Sequence, residues 1–530
     1  MVKIIKKNKR ETKNDDQEKD KNLPPEEQVS SNFSKNFDDN FNKFKAYLKD
    51  SDDIVFRQFT SFISNIKCGV IFVDGMVDKS LIQLHIIQPI MWGGALLEEQ
   101  KVQDVKKEQA AALIVERIIS VAELKEAEDI DKAMLPLLSG ETILLIDGYD
   151  KAIVIGTRHL ESRGVEEPPT EAVVRGPRDG FTETIRFNTA LLRRRIRDPN
   201  FVMRNMTLGR RTKTNVVLCY IKGIAQPELV DKIEKKIKDI DTDDIHEAGQ
   251  IEQYIEDNKL SPFPQIQNTE RPDKAATALM EGRVVILVDG SPFALILPAN
   301  LYQFFQSPED YYERWIIGSL LRSLRWIGSL LATFAPALYI AVVSYHPEML
   351  PTTLALSVAA DRELVPFPAI IEALLMEITI ELLREAGARL PKPIGQTIGI
   401  VGGIIIGDAA VRAGITSPSM VVVVSITAIA SFIIPSYSVA IAFRVFRFFS
   451  MFLAGILGLY GVCIAFILIN IHLVILKSFG VNYMAPVAPV QLRDWKDVIL
   501  RLPIQYMKRR PEYINPVDID RYEQDPVKEM

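Results

Sequence analysis

Glu377, Glu381 and Glu385 recur at i, i+4 and i+8, so a helix places three carboxylates on one face. Glu372 adds a fourth to an otherwise apolar run from Pro366 to Glu385. Carboxylates in such a run cannot face lipid. Repeated around an axis, they would form a ring of negative charge of the kind cation pores use. An interfacial helix whose acids pair with arginines, or a re-entrant helix, fits the same pattern, and the residues alone leave these open. A second pair, Asp408 and Arg412, stands at i, i+4 near the end of a run holding Gly395, Gly399, Gly402, Gly403 and Gly407. The spacing suits an ion pair acting as a structural clamp or as a gate.

Other chemistry is hard to find. The sequence has no phosphate-binding Gly-rich loop, no dinucleotide fingerprint and no nucleophile elbow. Cys68, Cys219 and Cys463 and the five histidines are scattered, so neither a disulfide framework nor a metal site is expected. The net charge of -5 argues against nucleic acid as a partner. The cluster Arg193, Arg194, Arg195 and Arg197, with Arg204, Arg210 and Arg211, could meet phosphate or RNA. It lacks interleaved aromatics, so a subunit or lipid-head contact is the better reading. No enzyme activity and no cofactor are expected.

The elements that must position these residues divide the chain in two. Four stretches are apolar and long enough to span a bilayer: 324–344, 394–413, 419–441 and 448–476. The glycines of the second favour close helix packing. Arg322 and Arg325 before the first span, and Arg493, Lys496, Arg501, Lys508, Arg509 and Arg510 after the last, put both ends in the cytoplasm. Four crossings with a non-crossing 366–386 helix satisfy that, although Arg444 and Arg447 then lie outside, against the rule.

Before the spans the sequence reads as an α/β soluble N-terminal region of two subdomains, followed by an all-α polytopic membrane bundle. The expected divisions are a disordered charged tail at 1–45, subdomains at 46–160 and 161–312, a membrane domain at 313–480 and a cytoplasmic C-terminal segment at 481–530. Cys68–Val73 reads as a strand followed by an Asp74–Gly75 hairpin signal. Val102–Leu138 has a helical pattern, Thr212–Ile221 reads as a strand, and Pro227–Ile240 as an amphipathic helix. Leu137–Gly148 resembles Leu279–Gly290 at one constant offset, with Gly140/Gly282, Asp147/Asp289 and Gly148/Gly290 in register. Duplication and a common α/β pattern both account for it, and Asp74–Gly75 is a candidate third copy.

One segment carries a resemblance. Arg175, Gly176, Pro177, Arg178, Phe181 and Glu183, continuing through Asn188 to Ile196, resemble the signature of the GerA family of spore germination proteins. Gly209–Thr214, Pro366–Pro368, Glu372–Glu377, Leu382–Gly387, Gln396–Gly403 and Ile433–Pro435 agree, so the resemblance runs over about residues 55 to 505. It implies the A subunit of a nutrient germinant receptor in the inner membrane of the spore. It also implies a transporter-like B subunit and a lipoprotein C subunit as partners. The A subunit is then expected to form a homo-oligomeric, pentameric ring that conducts monovalent cations when nutrient binds. A membrane scaffold of the receptor, or a paralogue acting in the SpoVA release step, is the alternative.

Overall fold

The computed structural model describes residues 32–92, 106–159, 167–168, 170–389 and 407–521. The chain forms two compact units, Met1–Tyr47 with Ile54–His159, and Leu48–Asp53 with Leu160–Met530.

The first unit is built on an antiparallel sheet of β1 (Ile54–Thr60), β2 (Lys67–Val73), β3 (Leu124–Ala127), β4 (Thr142–Ile146) and β5 (Ala152–Ile155), in the order β1-β2-β4-β5-β3. The short apolar runs of β2, β4 and β5 are buried on both faces because helices cover each side. One face packs Ile82, Ile86, Ala110 and Ile114. The other carries the helix Phe37–Tyr47, whose Phe37 and Phe41 rings stack at 5.2 Å. These rings lie over Gly69, where an added Cβ would come within 2.8 Å of Phe41.

That helix corrects the expected tail, which extended to residue 45. Phe33, Phe37, Phe41, Phe44 and Leu48 are all buried, and their spacing makes one apolar stripe that composition alone conceals. The rest of the expected tail, residues 1–31, lies outside the described residues. Asp74–Gly75 is neither a hairpin nor a third copy: it turns the chain from β2 into the helical segment that starts at Lys79. The helical reading of 102–138 also needs correction, because β3 lies between the helices Lys107–Leu113 and Ile130–Leu138.

The second unit repeats the plan. β6 (Phe201–Leu208), β7 (Thr214–Ile221), β8 (Gln267–Thr269), β9 (Val284–Val288) and β10 (Ala294–Leu297) are antiparallel in the order β6-β7-β9-β10-β8. Helices Ile185–Arg195 and Pro272–Met280 cover one face, and Pro227–Lys238 and Ala248–Ile255 the other. The likeness extends to individual hydrogen bonds. Phe37 N donates to Asp147 Oδ1 as Ile185 N donates to Asp289 Oδ1. Gly148 N meets Lys35 O as Gly290 N meets Glu183 O. Asn40 brackets Ser34 as Asn188 brackets Thr182. Shared strand order and shared side-chain caps favour duplication over a chance pattern.

Beyond the second sheet the chain is helical: Trp315–Tyr345, Thr352–Arg362, Ala369–Arg389, Pro418–Phe432, Tyr437–Leu457 and Leu459–Ile475. By length and composition, Trp315–Tyr345 and Tyr437–Leu457 can cross a membrane, while Pro418–Phe432 and Leu459–Ile475 are shorter apolar helices. Two expected spans have different ends. The 419–441 run stops at Phe432, because Pro435 lacks an N–H and pushes the preceding residue out of the helical basin. The 448–476 run is divided at Gly458, which has φ +58 and sits where a Cβ would come within 2.9 Å of the Tyr345 ring. The expected 394–413 span lies largely outside the described residues, and residues 407–412 are helical.

Side-chain contacts fix how these helices run. Tyr345, at the end of the first, donates to Gly455 O at 2.5 Å, near the end of Tyr437–Leu457. A Cβ on Gly455 would touch Ile370, at the start of Ala369–Arg389. At the other level, Val439, Ala440, Ile469 and Leu473 share a core with Phe263, Leu301 and Phe305 of the α/β part. Tyr437–Leu457 therefore runs parallel to Trp315–Tyr345, and Ala369–Arg389 and Leu459–Ile475 run antiparallel to it.

Candidate functional site

The signature segment is an extended strap whose backbone is held at several points. Phe181 is buried and its N–H donates to Glu270 O at 2.7 Å. Buried Asn188 accepts from Thr182 N at 2.8 Å and donates to Thr182 O at 2.6 Å. Glu183 contributes its carbonyl, to Gly290 N at 2.7 Å. Pro177 O accepts from Arg271 Nη2 at 2.8 Å. Gly176, at φ +140, lies against Tyr312, and a Cβ there would come within 2.7 Å of the ring. Arg175 and Arg178 are exposed.

Arg271 and Tyr312 meet at Asp273. Arg271 is fully buried and holds both Asp273 oxygens, at 3.1 and 2.9 Å, and the Tyr312 hydroxyl donates to Oδ2 at 2.5 Å. Burial opposes ionisation of Asp273, but the bonds from Arg271 and Tyr312 outweigh it and hold the carboxyl below its usual range. Burial, then the hydrogen bond to Asp273, pushes the Tyr312 phenol up to about 12. A second buried fork, Arg193 on Asp53 at 2.9 Å from both nitrogens, ties residues 48–53 to the helix Ile185–Arg195.

Tyr312 precedes the first long helix, and a further charged cluster follows at once. Asp310 receives Arg325 Nη1 at 2.6 Å and Arg322 Nε at 3.4 Å. Arg322 Nη1 also reaches Asp497 Oδ1 at 2.7 Å, and Tyr311 donates to Asp497 Oδ2 at 2.7 Å. Burial pushes the Asp497 carboxyl up, against the pull of Arg322. Buried Arg501 donates to the carbonyls of Asp310 and Glu313. Segments on both sides of the helices are thus bonded to each other: Ala299 N to Ser478 Oγ at 3.1 Å, Leu301 N to Tyr483 O at 2.9 Å and Asn300 Nδ2 to Ala485 O at 3.0 Å. Sequence reasoning used Arg322, Arg325 and Arg501 only as topology markers. The signal for more was available, since Arg322 and Arg325 share one face of an apolar helix.

The four carboxylates of Ala369–Arg389 each have an arginine partner. Glu372 is buried; its Oε1 accepts from Ser417 N at 2.6 Å and from Thr416 Oγ1 at 3.1 Å, and Arg362 stands 3.6 Å from Oε2. Glu377 lies 2.9 Å from Arg447, both almost wholly buried. Glu381 takes Arg444 at 2.5 Å and Arg384 at 3.0 Å. Glu385 pairs with exposed Arg389 at 2.6 Å. Arg444 and Arg447 are therefore interior helix residues, not the loop charges that the topology count made of them. Asp408 and Arg412 pair at 2.9 Å with both side chains exposed in the single chain. Among the described residues, no group of three or more His, Cys, Asp or Glu side chains is placed to hold a metal.

Residues 42–513 match the family described as Bacillus/Clostridium GerA spore germination protein. The chain is 43% identical over 472 residues to spore germination protein GerLA of Bacillus cereus, covering 89% of this chain and 94% of the relative. It is 43% identical over 491 residues to spore germination protein B1 of Bacillus subtilis (strain 168), covering 93% and 99%. It is also similar to the crystal structure of the N-terminal domain of the A subunit of the Bacillus megaterium spore germinant receptor GerK3. That match is 34% identical with a TM-score of 0.40, over 50% of this chain and 96% of that one. With a match that runs through both sheets, the strap and the helical part, the chain belongs to the GerA family of spore germination proteins.

Proposed function

We propose that this chain is the A subunit of a nutrient germinant receptor in the inner membrane of the spore. Several copies form a pentameric ring that conducts monovalent cations, in concert with a transporter-like B subunit and a lipoprotein C subunit. The strap and the Arg271–Asp273–Tyr312 anchor carry this reading. They join the second α/β half to the residues that open the first membrane helix, which is what a soluble portion without catalytic groups needs in order to move a helix bundle.

The bundle crosses the membrane an even number of times, because the segments before and after it bond to each other. On this reading Ala369–Arg389 is one of the crossings, in place of the expected non-crossing helix, and its run antiparallel to Trp315–Tyr345 supports that. Leu459–Ile475 then counts as a separate pass, while the expected 394–413 span lies largely outside the described residues. Both ends then share a side, and the basic residues Arg493, Lys496, Lys508, Arg509 and Arg510 support the cytoplasmic one.

The carboxylates on Ala369–Arg389 are the ion-path candidates. In the closed ring, arginines hold Glu377 and Glu381, and opening re-partners them. Asp408 and Arg412 hold the turn between two crossings. Germination-linked cation release from spores carrying Glu377→Gln with Glu381→Gln tests this, with Arg447→Met and Arg444→Met added so that the buried guanidiniums facing these positions are not left unpaired. Altered conductance or selectivity in assembled protein is the expected result. Unchanged flux would move the role to a scaffold for the B and C subunits.

A further inference from the structure

The arginine-rich end of the helix Ile185–Arg195 is not used by the anchor described above. A pocket of about 530 Å³ opens there, lined by Pro177, Arg178, Asp179, Arg194, Arg195 and Arg197. Asp179 is its one acid, and Arg195 already neutralises it through contacts at 2.5 and 2.6 Å. Arg195 Nε is buried and has no hydrogen-bond partner. The remaining three guanidiniums carry positive charge with little to balance it. Arg178 is exposed, with Glu167 at 3.8 Å, too far for a hydrogen bond. Arg194 and Arg197 are exposed and have no carboxylate at ion-pair distance among the described residues.

Cations at a helix C-terminus are favoured by the helix dipole, which is the ordinary explanation for such a cluster. The duplicated half weighs against it. The matching helix Phe37–Tyr47 has the same length and the same capping bonds, yet carries Ala46, Tyr47 and Lys49 where the second half has Arg194, Arg195 and Arg197. The shared fold does not require these arginines.

We propose that this pocket binds a phosphate group through the guanidinium forks of Arg178, Arg194 and Arg197, with Arg195 closing it from below. Guanidinium forks match two phosphate oxygens at once. The position favours the phosphodiester of an anionic lipid headgroup. Gly176, two residues before Arg178, packs on Tyr312, and exposed Trp315, Ile316 and Ile317 follow at the start of the first apolar helix. Only this choice of source rests on the membrane reading; a phosphate site stands without it.

Full-length protein in an uncharged detergent tests the proposal, with dioctanoyl phosphatidylglycerol and inorganic phosphate as separate probes and bound mass as the readout. Arg194→Glu with Arg197→Glu should weaken binding about 10- to 100-fold. Arg210→Glu with Arg211→Glu, exposed residues paired with Asp241 and Asp243 elsewhere, should leave it unchanged. Binding of the lipid with this dependence supports a headgroup site. Binding of inorganic phosphate alone with this dependence supports the pocket with a soluble source. Equal binding by both variants, equal weakening by both, or no binding of either probe to the unaltered protein would overturn it.

Discussion

The two α/β halves share strand order, helix placement and capping bonds, but they use the same positions for different ends. Where the first half has Asp129, a surface cap accepting from Lys132 N at 2.7 Å, the second has fully buried Arg271 forked onto Asp273. Lys45, which lies over the Phe41 ring in the first half, is matched by Arg193 buried on Asp53. The first half fills its helix–sheet contact with Phe37 and Phe41 over Gly69. The second has Ile185, Thr189 and Val217 at the matching positions, with Ile185 and Val217 in one buried cluster. A duplicated scaffold thus keeps one copy closed on its apolar core, while the other acquires buried arginines that fasten the strap and the start of the helix bundle.

If that contrast is right, removing the second-half arginines should hurt most. Arg193→Ala or Arg271→Ala leaves a buried carboxylate unpaired and should cost about 3–5 kcal/mol, measured by denaturation of the purified chain. The first-half counterparts should cost far less: about 1 kcal/mol for Asp129→Ala and under about 0.5 kcal/mol for Lys45→Ala. Equal losses in the two halves would break the comparison.

The packing difference gives a smaller effect. Gly69→Val imports the second half's residue under rings that have no room for it and should cost about 1–3 kcal/mol. Phe41→Thr, which imports the second half's residue at the matching position as well, should recover part of that loss. No recovery would mean that the two contacts are not equivalent. Within the second half the smallest effect is that of Tyr312→Phe, which removes one hydrogen bond to Asp273 while keeping the ring against Gly176; about 1 kcal/mol is expected. A larger effect on cation release than on stability would show that this contact transmits as well as fastens.

Much of this scaffold was readable in the sequence. The Gly140 and Gly282 turns, the Thr214–Ile221 strand, the Pro227–Lys238 helix and the carboxylate face of Ala369–Arg389 depend on local periodicity, which a single chain displays. The Phe37–Tyr47 helix was readable too, but its polar composition hid the aromatic stripe. What could not be read depends on partners distant in the chain. Nothing near Arg193 announces Asp53, nothing near Arg322 announces Asp497, and Glu372, Glu377 and Glu381 find Arg362, Arg447 and Arg444 on different helices. Span ends failed for a related reason: hydropathy runs straight through Pro435 and Gly458, where backbone geometry breaks the helix.

The stoichiometry and symmetry of the detergent-solubilised full-length protein, by particle imaging, test the central claim most directly. A closed ring with Ala369–Arg389 facing the axis is the predicted result. A stable monomer or dimer with its partner subunits present would contradict a conducting ring and leave this chain a scaffold.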